Sequence, residues 1–110
     1  KLVSVLSGEV LDIVVDLRKS SKSFGDWASY KISRKNKKQL FIPEGFAHGF
    51  LSLSNDTIVM YKVSDYWNPK DEYTLKYDDK KINLKLPFLP TSISQKDKQG
   101  LSFEDVPKFK

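Results

Sequence analysis

Apolar and polar side chains alternate along most of the first two-thirds of the chain, with a period of two rather than 3.6. The alternation is already under way in Lys1-Leu2-Val3-Ser4-Val5-Leu6, as in the middle of a strand, so the chain reads as the later part of something longer. It continues through Val10, Ile13 and Val15, set around the polar Asp12 and Asp16, through Trp27-Ala28-Ser29-Tyr30-Lys31-Ile32, and into Leu40-Phe41-Ile42. Gly8-Glu9 breaks the first apolar run as a turn does, which predicts that residues 1–7 and 9–17 are antiparallel partners in a hairpin. Residues 19–25 are a polar loop. Pro43-Glu44-Gly45 marks a tight turn, because Pro fixes φ and Gly tolerates positive φ. A strand with Gly49 in its middle then runs over 46–53, and Asn55-Asp56 offers the turn to a partner strand over 57–63. After Pro69 the pattern weakens. Residues 73–77 could form one more strand, and the Lys-rich remainder, with Pro87, Pro90 and Pro107, predicts an extended tail wrapped over the body, with a helical turn near 94–98. Many short strands punctuated by Gly, Pro, Asn and Asp predict an all-β sandwich or barrel.

Composition narrows the setting. A chain of 110 residues has room for one core, so residues 1–110 are expected to form a single domain. The absence of Cys removes disulfides, thiolate metal sites and cysteine nucleophiles, which fits a cytoplasmic protein. No apolar run is long enough to span a membrane, and no leader pattern opens the chain. A net charge of +5 would favour polyanions, yet the densest basic stretch, Arg34, Lys35, Lys37 and Lys38, lacks interleaved aromatics on which bases could stack. A solvated loop is the better reading, and nucleic acid is not an expected partner.

The chain holds one His, at position 48, within Ile42-Pro43-Glu44-Gly45-Phe46-Ala47-His48-Gly49-Phe50. It could be a hydrogen-bonded strand residue. Ala47 and Gly49 on either side would equally let a ligand approach closely, as the mouth of a barrel requires. A lone imidazole cannot build a metal cage, so no metal is expected.

Three blocks in order, residues 8–18 (Gly-Glu-Val-Leu-Asp-Ile-Val-Val-Asp-Leu-Arg), residues 39–50 ending in Phe46-Ala47-His48-Gly49-Phe50, and Tyr61-Lys62 with Asp65-Tyr66-Trp67, resemble the signature of the dTDP-4-dehydrorhamnose 3,5-epimerase family; Ser94-Gln95-Lys96-Asp97 resembles its late Ser-x-Lys-Asp element. The resemblance implies a cupin-like jelly-roll β-barrel with an extended C-terminal tail, truncated here at its N-terminus. It implies a homodimer that epimerises C3 and C5 of a dTDP-linked 4-keto-6-deoxyhexose, on the way to L-rhamnose and surface polysaccharide, with no cofactor. Related deoxysugar epimerases, 3,4-ketoisomerases and a non-catalytic sugar-nucleotide-binding cupin are the alternatives. By resemblance Tyr61 is the acid that reprotonates the carbanion, where pattern alone allows a core Tyr. Lys1 stands near the 4-keto oxygen, and His48 lines the substrate pocket, bonding the sugar or the diphosphate. Trp67 stacks on thymine where the family usually has Tyr. Glu72 and Lys96 contact the nucleotide, and Asp97 orients the catalytic base. That base is a His upstream of residue 1, so the chain by itself is expected to be poorly active.

Overall fold

The computed structural model describes residues 1–64 and 72–110. Six strands, β1 (Leu2–Ser7), β2 (Glu9–Asp16), β3 (Trp27–Ser33), β4 (Gln39–Phe41), β5 (Phe46–Ser52) and β6 (Ile58–Lys62), precede one short helix, α1 (Gln95–Lys98). They form two antiparallel three-stranded sheets, ordered β4-β1-β6 and β3-β2-β5.

This order overturns two expected hairpins. β1 and β2 do not pair with one another; β1 pairs with β4 and β6, and β2 with β3 and β5. Likewise β5 and β6 lie in different sheets. The turns were placed where breakers predict them, but each one carries the chain across the sandwich instead of back along it. Gly8, at φ 80°, makes the first crossing, and a bulge between Val5 and Ser7 bends β1 toward it. A Cβ on Gly8 would come within 2.5 Å of Ser54 Oγ and 2.8 Å of Thr57 Oγ1, because the second crossing lies against the first. Hydroxyls hold the two together: Ser54 Oγ accepts from the Glu9 N–H at 2.9 Å, and Ser7 Oγ donates to the Asp56 carbonyl at 3.1 Å.

Pairing in phase gives β2 two buried faces. Val10 packs with Val5, Ile32, Leu40 and Val59 between the sheets. On the opposite face Val15 joins Leu17, Ile82 and Val106, with Trp27, Ala47, Leu75, Leu84 and Phe103 around them. That second core is the seat of the tail, which wraps over the sheet as expected. The further strand over 73–77 reduces to a single bridge, Leu75 with Leu101. Helix α1 occurs where a helical turn was expected, with the Ser94 side chain accepting from the Asp97 N–H.

Candidate active site

A cavity of about 660 Å³ runs between β5 and the tail. Phe46, His48 and Phe50 reach it from the inward-facing side of β5, while Ala47, Gly49 and Leu51 meet it from the other side together with the tail residues Leu75, Leu84 and Phe88. Apolar walls of this kind with a few polar groups suit a small-molecule ligand. Lys1, His48, Glu72, Lys96 and Asp97, five of the seven residues singled out by sequence, line this one space. Tyr61 stands beside it, exposed on β6, with Lys1 Nζ 5.1 Å from the centre of its ring. Trp67 lies outside the described residues.

Register brings the first pair together. Tyr61 is opposite Val3 on β1, so Lys1, two residues earlier, shares its face. The backbone of Lys1 exchanges two hydrogen bonds with Ile42, at 2.7 and 2.8 Å, which fixes the start of the strand while its ammonium remains at the ring. Glu72 and Lys96, expected to contact a nucleotide, form an ion pair with each other. The Glu72 carboxylate raises the Lys96 ammonium above its ordinary value against the opposing effect of burial, and Asp97 and Tyr61 add smaller contributions. These four groups are therefore electrostatic neighbours across 36 residues of sequence, from position 61 to 97.

Sequence reasoning missed Asp12. On β2 it pairs with Phe50, so His48 is its diagonal neighbour across the ladder, and His48 Nε2 lies 2.9 Å from the Asp12 carboxylate. Asp12 is 0% exposed, and both its carboxylate oxygens lie 2.9 Å from Nε2, Oδ2 in hydrogen-bonding geometry and Oδ1 in ionic contact only. The available signal was a carboxylate in phase with Val10, on the side of the strand that builds the core.

Asp16, four positions further in the same phase, supports the site from behind. It accepts from Arg18 Nε and backbone N at 2.9 Å, from Arg18 Nη2 at 3.0 Å and from Ser23 Oγ at 2.5 Å. The Arg18 guanidinium is the main cause that holds this carboxyl well below the usual carboxylate range, despite burial, with Ser23 and Ser21 assisting. Arg18 in turn lies 4.6 Å above the ring of Phe46, one wall of the cavity, so the bidentate pair fixes that wall.

Two facing antiparallel sheets with an aromatic-walled pocket ringed by Lys, Tyr, His and carboxylates define a ligand-binding β-sandwich of the cupin-like class, the class of the solved structures it matches. The family model for dTDP-4-dehydrorhamnose 3,5-epimerase matches residues 1–105, and the chain belongs to that family. It is 43% identical over 109 residues to the dTDP-4-dehydrorhamnose 3,5-epimerase of Shigella flexneri, covering 99% of this chain and 60% of that protein. It is 41% identical over 110 residues to the one from Pseudomonas aeruginosa, covering 99% and 61%. Among solved structures, dTDP-6-deoxy-D-glucose-3,5-epimerase from Legionella pneumophila, in complex with dTDP-4-keto-L-rhamnose, superposes with a TM-score of 0.91 at 39% identity, over 96% of this chain and 57% of that one. The dTDP-4-dehydrorhamnose 3,5-epimerase from Bacillus anthracis, with TDP and PPi bound, gives 0.89 at 39% identity over 92% and 58%. The chain thus spans about 60% of the length of the relatives it matches.

Proposed function

We propose that this chain supplies the proton-donating and nucleotide-sugar-binding part of a dTDP-4-dehydrorhamnose 3,5-epimerase, acting on dTDP-4-dehydro-6-deoxy-D-glucose in the cytoplasm as a homodimer. The observation that carries the reading is the meeting of Lys1, His48, Lys96 and Asp97, with Tyr61 beside them, around one cavity. A proton α to a ketone becomes acidic when the enolate oxygen meets a positive charge, and Lys1 offers an ammonium from a strand whose backbone is pinned. Inversion then needs an acid on the face opposite the base. A phenol can donate a proton to a carbanion, a role that falls to Tyr61, and the base is the His expected upstream of Lys1. Lys96, paired with Glu72, contacts the nucleotide, and Asp97 orients the upstream His. The chemistry requires no redox group.

The test is solvent exchange. The protein carrying this chain and its upstream segment, incubated in heavy water with the 4-keto sugar nucleotide, is expected to introduce deuterium at C3 and C5, read by proton NMR. Exchange at neither carbon would sink the proposal. Exchange at C3 alone would move it to a mono-epimerase.

A further inference from the structure

The two nitrogens of the His48 ring face different surroundings, and the difference limits what the ring can recognise. Nε2 is held by the buried Asp12 at 2.9 Å. An ionised carboxylate only accepts hydrogen bonds, so the proton of that contact belongs to Nε2. In the neutral ring the lone pair then resides on Nδ1. That atom has no hydrogen-bond partner among the described residues, yet it is not one of their side-chain atoms sealed from solvent without one. The ring lines the cavity, so the acceptor opens onto it. Among the described residues, the other charged or titratable groups at this space are Lys1 just before β1, Tyr61 beside it on β6, and Glu72, Tyr73, Lys76, Tyr77, Lys96 and Asp97 from the tail. The three lysines are donors without acceptor capacity and suit phosphate oxygens. The neutral Nδ1 does not: it cannot donate to a phosphate, and the Asp12 charge behind the ring repels one.

We propose that Asp12 is a positioning residue that holds His48 as its Nε2–H tautomer, so that Nδ1 accepts a hydrogen bond from a ligand hydroxyl, as on a hexose ring, rather than binding a phosphate. The hydroxyl assignment rests on the nucleotide-sugar reading above; the tautomer assignment does not. Loss of the carboxylate removes the charge-assisted acceptor that makes one tautomer preferred.

The chain contains a single His, so ¹⁵N labelling of histidine gives one ring to observe. At a pH where imidazole is neutral, long-range ¹⁵N–¹H correlation spectra are expected to show the proton on Nε2. In Asp12→Asn, folded by circular dichroism, the ratio of Nε2–H to Nδ1–H should fall about tenfold, the difference between a charge-assisted and a neutral hydrogen bond. A wild-type ring protonated on Nδ1, or a folded Asp12→Asn with an unchanged ratio, would overturn the positioning role. Should that variant not fold, the wild-type tautomer alone decides. Titration with dTDP-glucose is expected to shift Nδ1, and dTDP to leave it near its free value. Equal shifts from both would overturn the hydroxyl assignment. Binding of neither would remove that assignment together with the nucleotide-sugar reading, while the tautomer ratio would still decide the role of Asp12.

Discussion

A tyrosine at a strand position that could serve packing is instead exposed, with an ammonium over its ring. Tyr61→Phe removes one hydroxyl and no apolar surface, so it separates chemistry from stability. In the protein that also carries the upstream segment, net epimerisation is expected to fall by about 10²- to 10⁴-fold, the usual worth of a positioned acid. Deuterium should still enter with retained configuration, because proton abstraction does not use the phenol. Proton NMR of the sugar in heavy water, beside a thermal melt, checks both. Inversion at the wild-type rate in a well-folded variant would contradict the role. The sequence made Tyr61 legible only through the family pattern, since period-two alternation fits a core Tyr equally well. Asp12 was hidden for the opposite reason. A carboxylate at a core-facing position is costly unless partnered, and the partner, His48, is 36 residues away on a strand whose register the sequence does not declare.

At the scale of the element, the crossings between sheets and the loop after β2 have definite requirements. Gly8→Ala puts a Cβ on a residue at φ 80° and drives it into Ser54 and Thr57. The left-handed backbone alone costs an L-residue about 1–2 kcal/mol, and the contact adds to it, so the urea midpoint should drop accordingly. An unchanged midpoint would mean that the crossing can relax. The Asp16 pair sets an acid limit. Its carboxyl is depressed below the ordinary value, so its contribution to stability is complete above about pH 4, the unfolded value, and is lost as pH falls through the folded value. Asp79 behaves likewise, held low chiefly by the Phe103 N–H against burial, with Ile82 and Lys81 N–H assisting. Asp16→Asn is therefore expected to lose about 1.5–3 kcal/mol at neutral pH, the worth of hydrogen bonds to a charged group, and to converge on wild type in acid. Urea midpoints measured across that pH range read the convergence, and parallel curves would count against the assignment.

At the scale of the molecule, the tail does two tasks with one surface. It closes the outer core through Ile82 and Val106 and brings Glu72, Lys96 and Asp97 to the cavity. Ile82→Ala should cost about 2–5 kcal/mol, typical for a buried Ile, and should weaken dTDP binding in step, because the same packing seats both. Calorimetry on the folded variant checks the link; destabilisation with unaltered affinity would show that the cavity wall stands without that anchor. The sandwich also leaves an apolar stripe on the outward side of β4-β1-β6, where Leu6, Phe41, Ile58 and Met60 are exposed. The proposed homodimer would use it, and Phe41→Glu is expected to shift the particle to half its mass by light scattering.

The residues by themselves determined the six strands, though not the further one expected over 73–77, the turns between them, the wrapped tail and the short helix after Ser94, because each rests on neighbours in sequence: alternation, breakers and a capping side chain. Through the family pattern they pointed to five residues that line the cavity, but not to Asp12. Which strand pairs with which was decided only by the tertiary structure, since a turn after Ser7 or Ser52 is equally compatible with a hairpin and with a crossing. Burial of two apolar faces of β2, one against the facing sheet and one against the tail, selected the crossing. The same choice put Asp12 behind His48, Arg18 behind Phe46 and Lys1 over Tyr61, contacts between residues whose order along the chain says nothing about their distance in space.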